Sequence, residues 1–177
     1  MSLMVLLAGA GIHQAMAAEN GKLEHASLRV MLENLGYEPE ERKFTDGLAY
    51  YDIEEPGDVR MTAKVFVSAS GNILWFLVDY WALKEDQKYP HEVLLELLAE
   101  NDKAAYVHFG YLPKSRRMRL NASLVNRGIK PVDLRRVINE ASRLTDRTQH
   151  LWNPNEWKVQ PAKAAAPAEE KAGENPQ

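Results

Sequence analysis

Residues 73–83 read ILWFLVDYWAL, with Asp79 as the one charged side chain. Ser70-Gly71-Asn72 stands before the run as a hairpin turn. Large apolar side chains occupy both alternating sets, so the stretch reads as a central strand covered at least in part on both faces. Its partner lies before the turn. Arg60 to Ser68 is RMTAKVFVS. Met61, Ala63, Val65 and Val67 fall on one face, and Thr62, Lys64, Phe66 and Ser68 on the other. Further upstream, Pro56-Gly57 marks a turn. Before it, Leu48 to Glu54 (LAYYDIE) enters through Asp46-Gly47 as another strand. Three strands joined by short turns make an antiparallel meander.

Helical periodicity brackets the meander. Leu28, Met31, Leu32 and Leu35 recur at three- and four-residue spacings within Leu23–Leu35. Gly36 offers a left-handed helix end, Tyr37 can cover the last turn, and Pro39 prevents resumption. After the central strand, YPHEVLLELLAEND starts a helix at Pro90, with Glu92 in its first turn. Val93, Leu94, Leu97 and Leu98 form its apolar stripe, widened by Leu95. A second hairpin follows. Ala105–Leu112 reads AYVHFGYL, and in Arg117–Leu124 Met118, Leu120, Ala122 and Leu124 alternate with Arg117, Arg119, Asn121 and Ser123. A last helix spans roughly Pro131–Trp152, with Leu134, Val137, Ile138, Ala141, Leu144 and Leu151 inward. The expected class is α+β, in the order α-β-β-β-α-β-β-α, with an antiparallel sheet packed against helices.

The ends differ from this core. Leu3–Ile12 (LMVLLAGAGI) is apolar and uncharged, and Ala15-Met16-Ala17 supplies a small-x-small site. The expectation is a signal peptide over residues 1–17, cleaved after Ala17, although no positive residue precedes Leu3. An ordinary buried helix turn is the alternative. The run is too short for a stable membrane anchor, which needs about 20 apolar residues. Beyond Val159, VQPAKAAAPAEEKAGENPQ holds six Ala, three Pro and five charges, with little to bury. Residues 159–177 are expected to be a disordered tail, leaving 18–158 as a single domain.

In element order and apolar pattern the core resembles the type III secretion chaperone-like fold, and within it the YbjN-type domain. The residues that carry the resemblance are Leu32-Glu33-Asn34-Leu35-Gly36-Tyr37 before the meander, and the Leu-rich helix Val93-Leu94-Leu95-Glu96-Leu97-Leu98-Ala99-Glu100-Asn101 after it. The likeness covers about residues 23–152. It implies helices packed on an antiparallel sheet, homodimers, and protein binding without catalysis. Secretion chaperones of this kind are cytoplasmic and usually more acidic, whereas this chain carries a signal-like leader. An exported protein, periplasmic or secreted, is therefore expected, with the cytoplasm as the alternative.

Composition narrows the chemistry. There is no Cys, which removes thiol nucleophiles, disulfides and Cys-based zinc sites. With 22 Lys and Arg against 25 Asp and Glu, the net charge is −3, unlike a bulk nucleic-acid binder. The stretch Lys114–Arg147 is locally basic, ten cations to three acids. Its arginines divide between a strand face and a helix face, with local partners such as Asp133 and Glu140 expected. His91 has no second His four residues on, and neither a Walker nor a Gly-x-Gly-x-x-Gly pattern occurs, Gly9 and Gly11 lying in the apolar leader. His108 has no adjacent acid, and no Ser sits in a nucleophile elbow.

No cofactor, metal or catalytic set is expected. Aromatics are the stronger signal. Phe66, Trp75, Phe76 and Trp81, with Arg117 and Arg119, are the candidates for partner contact, because helices cover one face of such a sheet and some of these side chains must lie elsewhere. The reading is a noncatalytic module, chaperone-like or regulatory, that binds a polypeptide through apolar sheet or helix surface and forms a homodimer. A sensing module for a small apolar ligand is the alternative, and an enzyme the third.

Overall fold

The strand Ile73–Ala82 lies inside a six-stranded antiparallel sheet, as its apolar character on both faces demands. The computed structural model describes residues 21–157; the leader over 1–17 and the tail over 159–177 lie outside the described residues. The elements are α1 (His25–Asn34), β1 (Glu40–Lys43), β2 (Ala49–Glu55), β3 (Met61–Val67), β4 (Ile73–Ala82), α2 (His91–Lys103), β5 (His108–Leu112), β6 (Arg117–Val125), α3 (Pro131–Arg147) and α4 (Gln149–Trp152). Sheet order is β1-β2-β3-β4-β6-β5. The fold is α+β, with every strand pair antiparallel.

Alternation decides which side chains meet the helices. Tyr51, Ile53, Met61, Ala63, Val65, Leu74, Phe76, Val78, Met118, Leu120 and Ala122 join Leu28 and Leu32 of α1, Leu97 of α2, Leu134, Val137, Ile138, Ala141 and Leu144 of α3, and Leu151 and Trp152 of α4 in one core. The α1 terminus is closed as its sequence suggests. Gly36, at φ 91°, donates its N–H to Glu33 O, and Tyr37 N–H reaches Leu32 O. Arg135 of α3 donates to Leu35 O and to the Tyr37 hydroxyl, joining that end to α3. Tyr80 stacks on Trp152 at 4.4 Å and pairs its hydroxyl with Thr145 at 2.7 Å. Trp157 donates to Leu151 O and packs edge-on against Tyr89, fastening the end of the helical region.

Three boundaries differ from the sequence reading. β1, an extra strand, reads EERK, and every residue in it is exposed. It has no apolar alternation and is held by backbone pairing to β2 and by the Arg42–Asp52 ion pair at 2.9 Å. The last helix stops at Arg147: Thr148 turns its hydroxyl onto Leu144 O at 2.6 Å, and α4 restarts beyond it. Ala105–Val107 do not join β5. Their three N–H groups instead donate to the Glu140 carboxylate, at 2.8, 2.6 and 3.1 Å. One turn of strand further, Asn101 of α2 donates to Phe109 O and accepts from Phe109 N–H. The outer edge of β5 is thereby occupied near its start by a side chain of the neighbouring helix.

Candidate functional site

The sheet face away from the helices is built from the other alternating set. Register sets three adjacent rows across it: Phe66–Trp75–Ser123, then Asp52–Lys64–Leu77–Asn121–His108, then Asp79–Arg119–Gly110. Phe66, Leu77 and Tyr50 form a second, smaller apolar cluster, joined by Phe44, Leu48 and Trp75, and among the described residues no helical side chain packs into it. Phe44 sits on the β1–β2 turn, where Gly47 (φ 86°) donates to its carbonyl. From there its ring lies 4.4 Å from Tyr50 and meets Phe66 edge-on at 5.0 Å.

Toward β5 the cluster opens into a shallow depression of about 290 Å³. Phe66, Trp75 and Leu77 line one side, Arg119 and Asn121 another, and Gly110 leaves a gap where any other residue would place a side chain. A larger hollow of about 510 Å³, bordered by Leu23, Leu48 and Val67, lies beside the first described residues.

An ionic cluster adjoins the depression. Asp79 accepts from Arg119 Nε at 2.6 Å, with Lys64 Nζ at 3.5 Å and Arg117 Nη1 at 4.0 Å. Burial alone pushes the Asp79 carboxyl up. The Arg119 hydrogen bond and the charges of Arg119, Lys64 and Arg117 outweigh it and hold the group below its usual value. Three cations thus surround one carboxylate. Asp52, on the same face, is shifted upward by its burial, which Lys64 and Arg42 offset only in part. Such a face offers apolar contact beside a charged cluster in which Lys64, Arg117 and Arg119 meet Asp79, and Lys64 and Arg42 also face Asp52. It presents no nucleophile with an adjacent base, and among the described residues no three His, Asp or Glu side chains are grouped as a metal site.

Four of the six expected contact residues, Phe66, Trp75, Arg117 and Arg119, come together on this face. Phe76 does not. It is 2% exposed in the helix-covered core, because it neighbours Trp75 and alternation turns it the other way. Trp81 stands apart, 58% exposed, at a register shift between Asp79 and Ala82.

The basic stretch is also dispersed. Arg116 donates to Gln87 O, Arg135 to Leu35 O, and Arg147 to Glu100. The expected local partners serve otherwise: Asp133 accepts from the Lys130 N–H at the start of α3, and Glu140 holds Ala105–Val107. Lys64, Leu77, Asp79 and Gly110 were not expected at the site. The two-residue step from Trp75 to Leu77 and Asp79 is the signal that could have placed two of them. A second exposed apolar surface lies on α2, where Leu97 is buried but Leu95 and Leu98 are 52% and 63% exposed.

No family model and no curated protein matches the chain. Among solved structures, a chain of the heterodimeric ExoU–SpcU complex from the type III secretion system of Pseudomonas aeruginosa is similar, with a TM-score of 0.44 and 14% identity, over 72% of this chain and 98% of that one. A chain of the HopA1–SchA chaperone–effector complex has a TM-score of 0.46 and 16% identity, over 71% of this chain and 88% of its own. Both likenesses are distant and neither identifies a partner or an activity for this chain, while the YbjN-type resemblance rests on the residues that carry it.

Proposed function

We propose that the protein is a noncatalytic binding module that holds a polypeptide segment against the open face of its sheet. The observation that supports this most is the cluster of Phe44, Tyr50, Phe66, Trp75 and Leu77, which no helix covers among the described residues. Burial of aromatic surface in such a cluster is the usual source of binding energy. Reduced, carboxymethylated α-lactalbumin, labelled with fluorescein, serves as a permanently unfolded probe. The expected result is binding to the intact chain that Phe66→Ala and Trp75→Ala each weaken about tenfold. Equal binding by both variants would remove the face from the reading.

Self-association is a second part of the proposal. It rests on α2, whose Leu94, Leu95 and Leu98 are exposed side by side while Leu97 alone is buried. A second copy of the same helix would cover them. Sedimentation equilibrium should give a dimer that Leu98→Glu converts to monomer. A monomer at every concentration would refute it. Export is the third part, tested by sequencing the mature N-terminus, where Ala18 is expected as the first residue.

A further inference from the structure

We infer that the open face selects an extended segment carrying an apolar or aromatic side chain and, two residues away, a carboxylate. This rests on the open-face reading above and adds the chemistry of the partner. The apolar side chain enters the depression over Trp75 and Leu77, beside Asn121. The carboxylate meets Arg119 and Arg117.

The spacing comes from the sheet. Leu77 and Asp79 are two residues apart on β4, and Asn121 and Arg119 are two apart on β6. Same-face positions on a strand are separated by about 6.5–7 Å, which is also the spacing of side chains i and i+2 in an extended peptide. The charge requirement follows from the local imbalance. Lys64 lies between Asp79 and its cross-strand neighbour Asp52, whereas among the described residues Arg117 and Arg119 have Asp79 as their one carboxylate, and Arg117 approaches it no closer than 4.0 Å. An incoming acid adds a partner to this cluster, an amide adds none, and a lysine adds a fourth cation. Gly110 lines the same depression in the Arg119 row, next to the anchor, so a side chain there would narrow its entry. Its backbone lies outside the left-handed region, and a β-carbon placed there lies 3.3 Å from Asn121 Nδ2, a tight contact that makes the Asn121 amide, which also donates to His108 O, give way slightly.

The test uses the full chain and four fluorescein-labelled decapeptides that differ only in a Phe-x-Asp, Phe-x-Asn, Phe-x-Lys or Phe-x-x-Asp element, with dodecanoate as a fifth ligand. The expected order is Phe-x-Asp tightest, Phe-x-Asn and Phe-x-x-Asp about tenfold weaker, and Phe-x-Lys weakest. Raising ionic strength from about 0.05 to about 0.5 M should bring the Asp peptide down toward the Asn peptide. Gly110→Val should abolish binding of all four while the chain stays folded by far-UV circular dichroism, and Arg117→Gln should erase only the Asp preference. Equal affinity of the Asp, Asn and Lys peptides, all lost in Gly110→Val, would overturn the acidic requirement and leave the open-face reading standing. Binding of dodecanoate with no binding of any peptide would overturn both.

Discussion

Trp75 and Phe76 are neighbours in sequence and belong to opposite sides of the molecule. The side that holds Phe76 is continuous with four helices and carries the main core. The side that holds Trp75 has its apolar groups in one patch, with a charged cluster against it. Large aromatics on a strand therefore mark two different roles, and only the covering layer separates them. On the helix side, an aromatic contributes mainly to stability; on the open side Trp75 keeps part of its surface in solvent, while Phe66 and Tyr50 lie beneath it and Phe44, 8% and 9% exposed.

The largest effect expected from this contrast is at Phe76. Phe76→Ala removes a fully enclosed ring and should cost about 3–5 kcal/mol in urea unfolding. A cost as small as that of an exposed residue would break the distinction between the faces. Asp79→Asn comes next, at about 1–2 kcal/mol, because Arg119, Lys64 and Arg117 lose the carboxylate they share.

The pH dependence has a definite sign. Asp79 in the folded protein lies below the ordinary value of 3.8. Its stabilisation is therefore complete above that pH and is lost as the pH falls through the lower folded value. Asp79→Asn should remove this part of the acid sensitivity, as acid titration of the unfolding midpoint would show. Smallest is Trp81→Ala, within about 0.5 kcal/mol, because the ring is mostly in solvent. A larger loss there would mean that the exposed Trp supports the fold.

How much of this was legible in the sequence depends on whether the determining partner is near or far. β4 announces its central place through its own residues, and the end of α1 through Gly36 and Tyr37. β1 announces nothing, since EERK has neither alternation nor burial and exists through the backbone of β2 and the Arg42–Asp52 ion pair. The loss of strand character over Ala105–Val107 is imposed by Glu140, about 35 residues downstream. Site residues follow the same division. Phe66 and Trp75 stand out by type, whereas Gly110 matters for the side chain it lacks. The choice between Trp75 and Phe76 needed the helices, because an alternating strand with apolar residues in both sets gives the two faces equal claim.

The Asn101 contact with β5 has a consequence for how copies of this protein can assemble. Growth of an endless ribbon by strand pairing requires two receptive borders on each unit, one to give and one to take. Here one border is stoppered at Phe109 by a side chain that uses both its N–H and its carbonyl. The other is the short, highly charged β1. A unit that pairs along β1 therefore meets, at the far border, an edge already partly occupied at Phe109, which disfavours end-to-end growth there.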